Sequence, residues 1–114
     1  MDLEDKAKKY IPLTEATYYI LISLTEPLHG YAIMQKVDDM TEGKVKLGPG
    51  TLYGAIGKLV KQGFIIEAAE DDDEGRRKSY RLTELGKMVI MLEHSRIKLL
   101  YDNSKKALDL LKGE

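Results

Sequence analysis

The C-terminal third of the chain carries the pattern that most restricts its fold. From Thr83 to Leu111, apolar residues recur at helical spacing and no proline interrupts them. A continuous helix over this span would be roughly 43 Å long at 1.5 Å per residue, whereas a domain of this size is expected to be only ~30 Å wide. The far half of the helix must therefore find a second surface.

We predict that this surface belongs to a second copy of the chain, most simply related to the first by a two-fold axis. The predicted dimer contacts are apolar residues of the helix: Leu92, Leu99, Leu100, Ala107, Leu110 and Leu111. The alternative is a helix that breaks near Asp102-Asn103 and folds back on its own domain.

Composition argues against several classes of protein. The chain has 114 residues, which fit one compact domain without a separate catalytic domain. It has no cysteine and only two histidines, so neither a disulfide nor a metal site is expected. No stretch approaches the ~18 apolar residues of a membrane span, and the charged N-terminus is unlike a signal peptide. We therefore expect a cytoplasmic protein. Since no catalytic motif or phosphate-binding glycine loop appears, we also expect that it is not an enzyme and uses no cofactor.

Upstream of the long helix, local patterns predict three shorter helices and a hairpin, preceded by a helical leader. The predicted helices lie at about 14–26, 29–43 and 49–62, with a short strand or extended linker at 44–47 and hairpin strands at 64–68 and 78–82. This order is that of a winged helix-turn-helix, and the fold class is mainly α (α+β) with a two-stranded wing. Residues 1–82 would form the DNA-binding domain and residues 83–114 the dimerisation helix.

The third helix has two contrasting sides. One side is suited to packing and consists of Leu52, Ile56 and Leu59, flanked by Ala55 and Val60. The opposite side combines glycines with a few polar side chains: Gly50, Thr51, Gly54, Gly57, Lys58 and Lys61. Glycine within a helix costs about 0.5–1 kcal/mol relative to alanine, so a closely approaching ligand would explain its use here.

Double-stranded DNA fits such a side. Lys58 and Lys61 would reach phosphates, Thr51 a phosphate or a base edge, and Tyr53 would donate its hydroxyl to a phosphate. Gly54 would allow the helix to enter the groove deeply. The alternative interpretation is an ordinary solvated face.

The predicted hairpin adds a second cationic element. Arg76, Arg77 and Lys78 lead into its second strand, where the wing of such domains follows the DNA backbone or minor groove. Alternatively, these charges only keep the hairpin soluble. Asp71 to Glu74 would repel phosphate, and we interpret them as a solvated turn.

Net charge does not by itself favour a nucleic-acid binder, because it is only −1. The charges are unevenly distributed, however. Eight basic residues lie between Lys44 and Arg81, and five of the six acidic residues there fall within 70–74. Away from that stretch, the segment is cationic.

Three motifs resemble those of the PadR family of transcriptional regulators. They are His29-Gly30-Tyr31, Gly50-Thr51-Leu52-Tyr53, and the run from Gly75 through Arg76-Arg77-Lys78 to Gly86. The similarity extends from about Leu13 to the C-terminus, and the single last helix resembles the shorter subfamily that includes multidrug-responsive repressors. Two positions differ, since Gly48 stands where many members have a capping serine and Gly54 where many have proline.

The resemblance implies a homodimeric repressor that binds a palindromic operator and responds in many members to phenolic or hydrophobic compounds. It also implies a set of DNA contacts: Tyr31, Thr51, Tyr53, Lys58, Arg77 and Lys78. The drug-responsive relatives use an aromatic residue of the last helix, about where this chain has Ile97. Met88, Met91 and Ile97 could instead line an apolar pocket for a small hydrophobic effector, although methionines at helical spacing are commonly core residues.

A second function remains open at this point. A winged helix can also serve as a protein-interaction module without sequence-specific DNA binding, since the fold alone does not determine function. The negative net charge and the acidic turn favour that alternative.

Overall fold

The computed structural model describes residues 2–68 and 78–113, and these form a mainly helical domain with one small sheet. The elements in chain order are α1 (Leu3–Lys8), α2 (Glu15–Ser23), β1 (Leu28–His29), α3 (Gly30–Met40), α4 (Pro49–Gln62), β2 (Ile65–Glu67), β3 (Ser79–Leu82) and α5 (Glu84–Leu111). The winged helix-turn-helix fold predicted from the sequence is confirmed.

Local capping chemistry explains where the helices begin and end. The Thr14 hydroxyl accepts a hydrogen bond from the Thr17 N–H at 3.2 Å, and the Thr83 hydroxyl accepts one from the Gly86 N–H at 3.0 Å. Helix α4 begins at a proline and ends at Gly63, whose φ of 84° lies in the left-handed region. The predicted limits of α4 are therefore confirmed.

Of the two structures predicted for 44–47, a short strand or an extended linker, the chain forms a linker. The alternation at 44–47 does not form a strand, because the Val45 N–H is bonded to the Thr41 hydroxyl at 3.0 Å and no strand pairs with it. The strand is instead β1, in which Leu28 pairs with Tyr80 of β3. Since β3 also pairs with β2, the sheet has three antiparallel strands in the order β1-β3-β2, and the expectation of a two-stranded sheet was incomplete.

The core lies where α2, α3, α4 and the start of α5 meet the sheet. Its buried apolar members come from α1, α2, α3, α4, β2, β3, the first part of α5 and the residues that follow α2 and α4: Ala7, Ile20, Leu21, Leu24, Ile33, Val37, Leu52, Ile56, Leu59, Phe64, Ile65, Tyr80, Leu85 and Val89. The Tyr10 ring packs edge-on against Phe64, with ring centroids 4.8 Å apart. This contact brings the connection after α1 onto the same core.

Helix α5 is continuous for 28 residues and passes through Asp102-Asn103 without a break. A helix that folds back at that point is therefore wrong for this chain. Leu85 and Val89 in the first part of α5 belong to the core, whereas the described residues of its far half are exposed, apart from the half-buried Asp102. Among the described residues, no helix combines the length and apolarity needed to cross a membrane.

One buried ionic group joins α5 to the rest of the domain. The Glu93 side chain is 1% exposed, accepts two hydrogen bonds from Arg96 at 2.6 and 3.0 Å, and accepts a third from the Leu13 N–H at 2.9 Å. The hydrogen bond from Arg96 lowers the pKa of Glu93 below its ordinary value of 4.5, although burial opposes this, and the Leu13 N–H lowers it further. The carboxylate therefore stays charged and holds the chain before α2 against α5.

We expect Glu93→Gln to lower the free energy of unfolding at pH 7 by about 1–3 kcal/mol, because a buried charged acceptor is lost. The lowered pKa means that Glu93 contributes stability above pH 4.5 and loses it as pH falls through the lower pKa of the folded state. The difference between variant and parent should then shrink below pH 4.5. Urea unfolding from pH 7 to pH 3 at one protein concentration measures this.

The matched control is Glu84→Gln, because Glu84 forms only an exposed pair with Lys87 at 3.2 Å. That variant should change stability by less than about 1 kcal/mol. A pH-independent difference for Glu93→Gln would contradict the role assigned to this carboxylate.

Candidate nucleic-acid interface

Helix α4 divides into a buried and an exposed side, as the sequence predicts. Leu52, Ile56 and Leu59 are buried in the core, Ala55 is half-buried, and Val60 is exposed rather than packed. The opposite side is exposed at every predicted position, and we call it the open face: Gly50, Thr51, Gly54, Gly57, Lys58 and Lys61. It carries two ammonium groups and one hydroxyl on an otherwise smooth helix.

The glycines of the open face have no packing partner in the domain. A Cβ built at Gly50, Gly54 or Gly57 would meet no described atom within 4 Å. Their absent side chains therefore serve no contact within the chain. What they leave is room for a surface that approaches α4 from outside.

Two of the sequence motifs meet in space, which their spacing alone does not predict. The ring of Tyr53 lies over Gly30 at the start of α3, and a Cβ at Gly30 would come within 2.5 Å of the Tyr53 hydroxyl oxygen. A side chain at position 30 would therefore force the Tyr53 ring to move. Tyr53 remains 51% exposed, so its hydroxyl lies at the edge of the open face.

Tyr31 follows Gly30 at the start of α3 and is exposed. Its hydroxyl accepts a hydrogen bond from the Gln35 amide at 3.4 Å. Since a tyrosine hydroxyl can donate as well as accept, this arrangement leaves the Tyr31 proton for another acceptor.

The wing is described only at its base. Lys78 is exposed and lies 3.8 Å from the Glu67 carboxylate across the hairpin. Arg76 and Arg77, and the acidic turn from Asp71 to Glu74, lie outside the described residues. Arg81, in β3, is also exposed, and sequence reasoning did not include it among the candidate contacts.

Tyr80 connects the wing to α4. Burial raises the pKa of its phenol, and the nearby Glu67 carboxylate and Tyr53 raise it further. The phenol is therefore uncharged at neutral pH. The Tyr80 ring belongs to the same core as the buried side of α4.

The predicted dimer contacts lie on the far half of α5. Leu99, Leu100, Leu110 and Leu111 are exposed, the last two to 76% and 83%, and Ala107 is also exposed. Leu92 is half-buried and packs against the core. Such an exposed apolar stripe is unusual on a protein that works as a single copy.

The three residues predicted for an effector pocket have different surroundings in one chain. Ile97 lines a groove of about 370 Å³ between α2 and α5, beside Tyr18, Tyr19 and Arg96. Met88 packs against the core and Met91 is exposed, and neither lines that groove. Within the described residues, no cluster of three or more His, Cys, Asp or Glu side chains could hold a metal ion.

Comparison with known proteins gives a family match. The family model described as the Transcriptional regulator PadR-like family matches residues 20–91. The matched region begins in α2 and ends in the first part of α5, and so contains the whole of α3, α4 and the wing.

Two curated relatives are similar over part of the chain. The chain is 33% identical over 87 residues to an uncharacterized 37.1 kDa protein in transposon Tn4556 of Streptomyces fradiae. It is 36% identical over 69 residues to an uncharacterized protein X of Lysinibacillus sphaericus. These alignments include 75% and 59% of this chain, but only 24% and 62% of the relatives' own lengths.

This chain is also similar in fold to a solved structure. A PadR family transcriptional regulator from Eggerthella lenta is 26% identical, with a TM-score of 0.66. The alignment covers 82% of this chain and 80% of that one. The arrangement of helices and sheet described above is therefore similar to that of this regulator.

We expect Gly54→Ala and Gly57→Ala each to raise the free energy of unfolding by about 0.5–1 kcal/mol, because alanine favours the helix and the added methyl group meets nothing. Thermal or urea unfolding measures this. Gly86→Ala is the matched control, since its Cβ would collide with the Phe64 carbonyl and should be destabilising. A loss of stability in the α4 variants would mean that these glycines are needed by the fold.

Proposed function

We propose that this chain, which belongs to the PadR-like family of transcriptional regulators, represses transcription by binding a palindromic operator as a homodimer. Family membership makes it a DNA-binding regulator and not an enzyme.

The observation that carries the proposal is the open face of α4. A helix in the major groove must bring its backbone close to the base edges, and small side chains permit that approach. Lys58 and Lys61 lie on the same side and supply positive charge to phosphates that flank the groove. Thr51 lies at the first turn, where the recognition helix of such domains contacts bases.

Tyr31 and Tyr53 add hydroxyl groups beside this face, and Lys78 adds positive charge at the base of the wing. We propose that Arg76 and Arg77 continue the wing contact along the DNA backbone. Arginine suits that role because its planar guanidinium can donate to two phosphate oxygens together.

A homodimer follows from the exposed stripe of α5. Pairing the far halves of two α5 helices would remove Leu99, Leu100, Ala107, Leu110 and Leu111 from water. A two-fold axis through that contact would present two equivalent open faces to one side of the duplex. A palindromic operator has the same symmetry, and its half-sites would lie about one helical turn of DNA apart, or a multiple of it.

A small apolar effector would release the protein from DNA by binding between α2 and α5. The groove between α2 and α5 is lined by two tyrosines and Ile97, which suits an aromatic or aliphatic compound. It also contains the Glu93–Arg96 pair, so that a ligand there would contact the group that holds α5 to the domain.

For DNA binding, we expect Lys58→Ala to weaken binding to genomic fragments selected by the parent protein. Loss of one phosphate contact per subunit should reduce the slope of log affinity against log salt by about 1.8 for a dimer. Gly54→Ala, although more stable, should also bind more weakly, since its methyl group blocks the approach. Fluorescence anisotropy over a salt series measures both effects.

The control for this experiment is Lys105→Ala, which removes an equivalent charge from the exposed far half of α5. It should leave the affinity and the salt dependence unchanged. If Lys58→Ala behaves like Lys105→Ala, the open face does not bind DNA.

For the dimer, we expect the double variant Leu99→Glu and Leu110→Glu to sediment as a folded monomer. Both side chains are exposed in a single copy, so the domain itself should keep its stability. Operator affinity should fall by more than about tenfold, because one subunit contacts only one half-site. Lys105→Glu places a carboxylate on the opposite side of α5 and should remain dimeric. A double variant that stays dimeric would place the interface elsewhere.

A further inference from the structure

We propose that Lys46 binds a backbone phosphate of DNA in a cleft beside α4, and that Asp38 holds the same ammonium group in the free protein and thereby limits binding to DNA of any sequence. The inference rests on the DNA-binding function described above. It adds a contact and a competing carboxylate that neither the open face nor the wing provides.

The connection between α3 and α4 positions Lys46. After α3 ends, Glu42 and Gly43 have φ values of 53° and 78°, and the Gly43 N–H donates to the Asp38 carbonyl at 2.9 Å. These two left-handed residues turn the chain back along α3. Lys46 is thereby returned to the level of Asp38, eight residues earlier in the sequence.

Thr41 makes this connection rigid. Its hydroxyl is buried, donates to the Val37 carbonyl at 2.9 Å and accepts from the Val45 N–H at 3.0 Å. The backbone next to Lys46 is therefore held by two hydrogen bonds before any ligand arrives. The flexible Lys46 side chain can therefore change its partner without any movement of this backbone.

That partner in the free protein is Asp38. The Lys46 ammonium nitrogen lies 3.3 Å from a carboxylate oxygen of Asp38, and the two side chains are 75% and 43% exposed. Exposed ion pairs of this kind are weak, because water screens the attraction and ordering two side chains costs entropy. A DNA phosphate, which lies in a strong field of neighbouring phosphates, can therefore compete for the ammonium group.

The surroundings of Lys46 fit a phosphate. A shallow cleft of about 310 Å³ lies between α3 and the connection, and its lining includes Tyr31, Gln35, Asp38, Lys46 and Leu47. The Tyr31 hydroxyl accepts from Gln35, so its own proton is available to a phosphate oxygen. Asp38 is the acidic residue in this lining and would repel the phosphate.

The position of the cleft matches the path of the duplex. Leu47 lies two residues before the first residue of α4, so the cleft borders the end of α4 that carries Thr51. In helix-turn-helix proteins the first helix of the motif crosses the DNA backbone, and α3 is that helix here. Since phosphate contacts carry no direct sequence information, competition from Asp38 should weaken operator and random DNA alike.

The test compares the parent protein with Asp38→Asn, Lys46→Ala and the double variant, using a labelled random-sequence duplex over a salt series. Asp38→Asn should raise affinity at low salt by roughly 1.5- to 5-fold per subunit, which is the range expected for release of an exposed ion pair. Lys46→Ala should lower affinity and reduce the salt slope by about 0.9 per subunit. In the Lys46→Ala background, Asp38→Asn should have a smaller effect, because only the direct repulsion between Asp38 and the phosphate is then removed.

Asp102→Asn is the matched control. Asp102 pairs with Lys98 at 3.1 Å on α5, so this variant makes the same charge change away from the cleft. It should leave DNA affinity unchanged. A gain equal to that of Asp38→Asn would mean that net charge alone is responsible.

Two results would overturn the inference. An unchanged salt slope in Lys46→Ala would show that Lys46 binds no phosphate. An equal gain from Asp38→Asn with and without Lys46 would show that Asp38 does not act through Lys46. Lys58→Ala separates these outcomes from failure of the proposed function, because a reduced slope there shows DNA binding by α4 whatever Lys46 does.

Discussion

The contact between the end of α4 and the start of α5 is the constraint on which the rest of the structure depends. The Thr83 hydroxyl donates to the Gly63 carbonyl at 2.5 Å, and the Thr83 N–H donates to the Phe64 carbonyl at 3.0 Å. Gly86 then lies so close to that carbonyl that a Cβ could not be accommodated. The helix proposed to enter DNA is therefore joined firmly to the helix proposed to form the dimer. In such a dimer, the packing of two α5 helices would set the separation of the two open faces.

Helix α4 both packs in the core and presents a smooth surface to solvent. Its buried side supplies Leu52, Ile56 and Leu59 to the core, which stabilises the helix through packing. Its open face places glycines where no described atom would contact a side chain. The glycines of the open face reduce the intrinsic stability of the helix, and the packing of its buried side compensates for that loss. The helix can therefore stay folded although one side carries almost no side chains.

Charge in this protein acts through its placement. The chain as a whole carries a formal net charge of −1, yet the open face, the α3–α4 connection and the base of the wing all present lysines. Some of these lysines already face carboxylates, as Lys46 faces Asp38 and Lys78 faces Glu67. Exchange of such weak internal partners for phosphates allows a protein with little net charge to bind DNA with a salt-dependent affinity.

The sequence by itself determined the helices, because their signals are local. Each of these signals depends on residues within one or two turns of the helix. They are the caps Thr14 and Thr83, the limits of α4 at Pro49 and Gly63, and the periodicity of α5. The two sides of α4 also followed from periodicity alone. Tertiary structure decided what depends on distant partners. Leu28 lies in a strand because it pairs with β3, whereas in 44–47 the Val45 N–H donates to the Thr41 hydroxyl and is not available to a sheet. The contact of Tyr53 with Gly30, the hydrogen bond from Leu13 to Glu93 and the pairing of Lys46 with Asp38 likewise join residues that lie between 8 and 80 positions apart along the chain. Only folding brings such groups within hydrogen-bonding or van der Waals distance, and a one-dimensional pattern carries no information about that distance.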